Sequence, residues 1–237
     1  MKICTIHFDE DRPYFEKLLK VWEHSARLHN PKADIHILKV PKPKTVKRKS
    51  DEFLLYSSSY AAIRMAEWAL KQNEPVIMTD ADVMFLGDCS SAFGSPFDLG
   101  VTIRFARAWV NAGVVFYQPT QSGKEKLKEF ISLTNEILAF PELYVEEIHK
   151  YLGGDQTAFT LLAKKYSSIK RFLCSEWNLE QNTWQYFSDK TKIVHVKCDL
   201  LDLINGAPPR SGVGEDSPVY ALYEIWKSYY KEAYPDD

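Results

Sequence analysis

Apolar residues fill Ile3-Cys4-Thr5-Ile6-His7-Phe8 almost without a break, so residues 2–8 read as a buried strand. From 12 to 29 the spacing changes. Phe15, Leu18, Leu19, Trp22 and Ala26 recur at helical intervals while Lys17, Lys20 and Glu23 fall off the stripe, which predicts a helix ended by Asn30-Pro31. Ala33 to Val40 predicts a second strand. Strand, helix, strand at this spacing is a βαβ unit and implies a parallel sheet. After a loop at 41–50, residues 52–72 predict a helix with Leu54, Ala61, Met65, Trp68 and Ala69 on one face. Val76-Ile77-Met78 is continuously apolar and predicts a central strand. Residues 101–105 and 112–117 are further strands. Ser122-Gly123-Lys124-Glu125 reads as a capping box opening a helix to about 139. A helix near Asp155, a strand over 192–197 and an amphipathic helix over 217–233 complete the pattern.

Composition narrows the class. The chain has 237 residues, 45% hydrophobic and 26% charged, which excludes a disordered chain, a collagen-like fibre and a coiled coil. The length and the absence of a linker predict one α/β domain over 1–237, with a soft subdivision near residue 120 where alternating α/β gives way to mainly helix. Thirty Lys and Arg against 32 Asp and Glu leave a net charge of −2, so no global basic field points to nucleic acid. The loop at 41–50 is locally basic, with Lys42, Lys44, Lys47, Arg48 and Lys49. No apolar run approaches the ~20 residues a spanning helix needs, and the N-terminal run meets Asp9, Glu10 and Asp11 too soon for a signal peptide. Cys4, Cys89, Cys174 and Cys198 are scattered, without the close pairs of a zinc ribbon or disulfide knot. The expectation is a soluble, cytoplasmic protein without integral membrane association.

The chemistry-bearing stretch is Thr79-Asp80-Ala81-Asp82, directly after the central strand. On an extended segment two side chains at this spacing share a face. Two carboxylates there repel and lose hydration, a costly arrangement unless something positive sits between them. Hard oxygen ligands suit Mn²⁺ or Mg²⁺, ions that bridge carboxylates to a diphosphate. Open α/β sheets bind ligands at the carboxyl ends of their strands, where this pair falls.

Several stations, in order, resemble a GT-A-fold glycosyltransferase, nearest in pattern to the retaining glycogenin and galactosyltransferase-like family. His7 and Phe8, with Tyr14, are similar to the nucleotide-base contact region, and Arg64 to a basic residue aimed at the nucleotide-sugar. Asp80-Ala81-Asp82 resembles the metal motif, and Asn111-Ala112-Gly113 the segment that touches the donor sugar. Asp155-Gln156 resembles the pair beside the reacting anomeric carbon, and His195 the third metal ligand. The resemblance implies a Rossmann-like GT-A domain with a mostly parallel central sheet flanked by helices. It implies a donor-binding half over 1–120 and an acceptor half over 121–237. It implies Mn²⁺ or Mg²⁺ as cofactor and a nucleotide-diphosphate sugar as donor, UDP favoured over GDP, with transfer to an acceptor hydroxyl by retention. The sequence departs from the family after His195. Cys198 and Leu201 stand where the family has glycine and lysine, leaving Lys197 or Arg210 to meet the diphosphate. Trp177, Asn178, Gln181, Asn182 and Trp184 are expected to contact the acceptor or the donor sugar. Two other readings keep the acidic pair: a haloacid-dehalogenase-type phosphatase with Asp80 as nucleophile, and a non-catalytic sugar-nucleotide or glycan-binding module.

Overall fold

The computed structural model describes residues 1–8, 13–41, 43, 50–104 and 108–235, and the side chains of 13, 14 and 50–56 fall outside it. The basic residues at 42, 44 and 47–49 therefore lie outside the described residues, as does the Tyr14 side chain.

Eight strands and eight α-helices are described. The strands are β1 (Lys2–Phe8), β2 (Asp34–Val40), β3 (Val76–Thr79), β4 (Val83–Phe85), β5 (Leu99–Ile103), β6 (Val110–Tyr117), β7 (Lys170–Leu173) and β8 (Ile193–His195). The helices are α1 (Pro13–His29), α2 (Ser50–Ala69), α3 (Gln121–Ala139), α4 (Val145–Tyr151), α5 (Gly154–Lys165), α6 (Cys174–Trp177), α7 (Cys198–Ile204) and α8 (Pro218–Ala233). Six strands form one sheet in the order β2-β1-β3-β6-β5-β7. β1 is parallel to β2 and to β3, and β5 is parallel to β7, while β6 runs antiparallel to both its neighbours. The fold class is thus the expected α/β with a mostly parallel sheet.

Alternation along the strands sends side chains to two cores. Cys4, Ile6, Val76, Met78, Val101 and Val115 pack one face against α2, α3 and α5. Phe130 and Phe159 stack there with centroids 3.8 Å apart. Ile3, Ile77, Val114 and Phe116 pack the opposite face against Trp22 and Ala26 of α1 and Trp177 of α6. A third cluster joins the outer side of α1 to β4, β8, α7 and α8 through Met84, Val194, Leu200, Leu222 and Trp226. Among the described residues no helix is long and apolar enough to cross a membrane.

One local reading changes. The cap of α3 is Thr120, whose Oγ1 accepts from the Gly123 amide, rather than the Ser122 capping box. Thr120 wins because its own hydroxyl is anchored on Asp98 at 2.6 Å, the residue before β5, whose carbonyl also accepts from the Gln118 amide. The short strands β4 and β7 have too few residues to display a period of their own.

One buried polar contact ties α1 to the central strand. The Trp22 indole N–H donates to Thr79 Oγ1 at 2.8 Å, and both residues are fully buried. Thr79→Val keeps the shape and orphans that N–H. Denaturant unfolding should show a loss of about 1–3 kcal/mol.

Candidate active site

β3 ends at Thr79, and Asp80, Ala81 and Asp82 form a tight turn into β4. The two carboxylates thus converge through a turn rather than across the pleat of one strand. The Asp80 amide donates to the Gly113 carbonyl at 3.0 Å, which fixes the first half of that turn on β6. The second half is fixed by the antiparallel β4–β8 pair, in which Val83 faces His195 and the Val196 amide donates to the Asp82 carbonyl at 2.7 Å. A slip of one residue would offer Val194 or Val196 in place of the histidine.

This register sets His195 Nε2 3.0 Å from Asp82 Oδ1 and 3.5 Å from Asp80 Oδ2. One ligand atom from each of Asp80, Asp82 and His195 lies within 4.8 Å of the others. His195 is fully buried, whereas the Asp80 and Asp82 side chains are 41% and 25% exposed, so the cluster opens to solvent on its carboxylate side. Burial, then the charge of Asp82, raises the Asp80 carboxyl above the ordinary range. Burial also works against ionised Asp82, but His195 and Lys197 outweigh it and bring that group down to about 2. Lys197 Nζ stands 4.0 Å from Asp80 Oδ2. The donor set, two oxygens and one imidazole nitrogen with one open side, suits a hard or borderline divalent cation with room for ligand oxygens.

Gly113 makes the cluster possible. A Cβ there would stand 2.3 Å from His195 Cε1 and 3.0 Å from Asp80 Oδ2. The Asn111-Ala112-Gly113 segment is therefore a wall of the site. Asn111 is buried, its Oδ1 accepts from the Gly113 amide at 3.0 Å, and Ala112 is half-buried beside it.

Asp155 opens α5 after Gly153. Its Oδ1 accepts from Ser58 at 3.2 Å and from Ser59 at 3.1 Å, and its amide donates to Ser59 Oγ at 3.0 Å. Burial and the charge of Asp80 raise its carboxyl, so Asp155 shares the electrostatic field of the acidic pair. The adjacent Gln156 donates through Nε2 to the Tyr151 carbonyl. His7 and Phe8 are half-buried at the carboxyl end of β1, and Phe8 stacks on Tyr60 of α2 at 6.4 Å.

Arg64 is not brought to this cluster. It pairs with Glu67 at 2.7 Å and lines a groove of about 520 Å³ with Tyr60, Asn135 and Leu138, between α2 and α3. From α2 it is Ser58 and Ser59, a turn earlier, that reach Asp155. Arg210 is likewise engaged elsewhere, held by both Asp202 oxygens at 2.8 and 2.6 Å. Trp177, Asn178 and Trp184 are buried in the core and do not present a sugar-facing surface. The amide-rich stretch suggested sugar contact because composition does not tell a buried polar side chain from an exposed one.

Cys198 has φ +51°, the left-handed conformation that favours glycine. Glycine would adopt this conformation without the strain a Cβ brings.

The sequence matches no protein-family model. No curated protein matches it either. Solved structures do match. The galactosyltransferase LgtC, solved with donor and acceptor sugar analogues, superposes with TM-score 0.59 at 12% identity over 98% of this chain and 96% of that one. A glycosyltransferase involved in glycosylation of the major capsid of PBCV-1 gives 0.56 at 14% identity, covering 82% and 92%. GlyE of Streptococcus pneumoniae TIGR4 gives 0.57 at 14% identity, covering 97% and 59%. The fold is the GT-A fold of these glycosyltransferases.

Two substitutions test the local geometry. Gly113→Ala should push His195 away from the acidic pair, costing about 1–3 kcal/mol of stability from overpacking. A crystal structure of the variant should show the ring displaced. Cys198→Gly relieves a left-handed residue, and thermal unfolding should report a gain of about 1 kcal/mol.

Proposed function

We propose that the protein is a divalent-metal-dependent glycosyltransferase. In this reading it moves a sugar from a nucleotide-diphosphate sugar, UDP favoured over GDP, to an acceptor hydroxyl with retention. The observation that carries the reading is the convergence of Asp80, Asp82 and His195 at the strand ends of a GT-A fold. Asp80, Asp82 and His195 Nε2 would hold Mn²⁺ or Mg²⁺. A cation there neutralises charge as the diphosphate departs.

The remaining roles fall to the chain's own side chains. Asp80 and Asp82 alone would repel a diphosphate, and Lys197, 4.0 Å from Asp80, adds a positive charge on that side. Asn111 and Ala112 wall the donor-sugar side. Gln156, tied through Nε2 to Tyr151, keeps its carbonyl end for the positive character that develops at the anomeric carbon. Asp155 is the carboxylate nearest in chemistry to that carbon, steadied by Ser58 and Ser59. With retention, the acceptor proton passes to the departing phosphate oxygen and no strong base is required. In this reading His7, Phe8 and Tyr14 meet the base of the nucleotide; in support, His7 and Phe8 stand at the carboxyl end of β1. Arg64, turned into the α2–α3 groove, has no donor role in this reading.

We read the chain as one unit. In support, β7 and β8, from beyond residue 120, pair with β5 and β4 from before it. A reducing, cytoplasmic setting is supported by four unpaired thiols. Neither a phosphatase nor a non-catalytic module is favoured: the superposed structures are glycosyltransferases, and the acidic pair is complete with its histidine.

The test is a thermal shift with UDP and Mn²⁺, then turnover of a nucleotide-sugar panel. UDP at 100 times its dissociation constant should stabilise the protein by about 2.7 kcal/mol, and chelation should remove that gain. Asp80→Ala or Asp82→Ala should abolish it with circular dichroism unchanged. Metal-independent UDP binding retained by both variants would overturn the reading. Aryl-phosphate hydrolysis lost in Asp80→Asn would favour the phosphatase.

A further inference from the structure

Behind His195 lies a buried polar chain that the donor and acceptor roles above do not use. The Thr102 hydroxyl donates to the Asn111 carbonyl at 2.7 Å. Asn178 Nδ2 donates to Thr102 Oγ1 at 3.0 Å, and Asn178 Oδ1 faces His195 Nδ1 at 3.1 Å. Thr102, Asn178 and His195 are all fully buried, and Asn111 is nearly so.

The direction of every bond follows from the end that has no choice. A backbone carbonyl only accepts, so Thr102 commits its single proton to Asn111. Cys174, beside Thr102, is pushed up to about 12 by burial and remains a thiol, so it is no anionic rival for that proton. The Thr102 oxygen must then accept, which turns the Asn178 amide nitrogen toward it. The amide oxygen is left facing the ring, so Nδ1 carries the hydrogen. Nε2 is then the nitrogen that faces Asp80 and Asp82, and the one whose lone pair a cation bound there would take. Gly113 lies against the ring at Cε1 and Nδ1, so the ring is confined from that side as well.

We propose that Asn178, oriented by Thr102, is the positioning residue that sets the tautomer and the aim of His195, and so determines how tightly the cluster binds a divalent cation. The proposal deepens the metal reading of the preceding section and rests on it. Partners of this kind, hydrogen-bonded to the far nitrogen of a ligating imidazole, commonly change metal affinity by about 10–100-fold.

The experiment is Mn²⁺ titration of the intact protein, with and without UDP, read from the electron paramagnetic resonance signal of the free aquo ion. Asn178→Leu removes the acceptor at similar volume and should weaken Mn²⁺ binding by about 10–100-fold. In a His195→Ala background the same change should cost less than about twofold, because the effect travels through the imidazole. Asn178→Asp keeps an acceptor for Nδ1–H and should restore affinity to within a few-fold of the parent. Thr102→Val, which preserves shape but frees the amide to turn, should fall between the parent and Asn178→Leu. Unchanged affinity in Asn178→Leu, or an equal loss with and without His195, overturns the proposal. Absence of any Mn²⁺ binding to the parent, or binding that Asp80→Ala leaves intact, overturns the metal reading itself and is a different result.

Discussion

Two carboxylates and an imidazole, 113 residues apart in the case of Asp82 and His195, are held together by the pairing of β4 with β8. Left to themselves, Asp80 and Asp82 would separate, since each raises the cost of ionising the other in a half-dry setting. The backbone does not let them. Asp80 is tied to Gly113 on β6, and Asp82 is tied to Val196 on β8. The sheet, the helices on its two faces and the third cluster under α8 all serve to keep those two ties in register. The lysine that offsets the repulsion comes from the same strand end, Lys197, two residues after His195.

The site has a closed side and an open side, and the division of labour follows it. On the closed side sit Gly113, Thr102, Asn178 and the buried ring of His195, where every polar atom must find a partner inside the protein. On the open side the carboxylates of Asp80 and Asp82 remain partly exposed, with Lys197 beside them and Asp155 within their electrostatic reach. A charged ligand can therefore approach the oxygens while the nitrogen is positioned from behind. Such an arrangement is preorganised: the donors do not need to be gathered when the ligand arrives.

The segment after His195 carries a local backbone cost. Cys198 adopts a left-handed conformation at the start of α7, where a side chain costs about 1–2 kcal/mol. The chain accepts that cost to turn from β8 into α7. Positive charge at this corner rests on Lys197, because Arg210 is bound to Asp202.

Local pattern determined a good deal. The βαβ opening, the apolar run of β3, the long helices α1, α2, α3 and α8, and the acidic pair at a strand end can all be read from spacing and residue type, because periodicity and turn chemistry act over a few neighbours. Other features required the folded chain. Short β4 and β7 carry no period. Arg64 faces α3 rather than the acidic pair because helix packing sets the rotation of α2, a matter no single helix decides. Thr120 displaces Ser122 as a cap because Asp98, 22 residues earlier in the chain and just before β5, meets its hydroxyl. Asn178 looked like a sugar contact and is instead buried behind His195. Convergence, burial and tautomer are set by contacts between residues far apart in the chain, so only the tertiary structure could decide them.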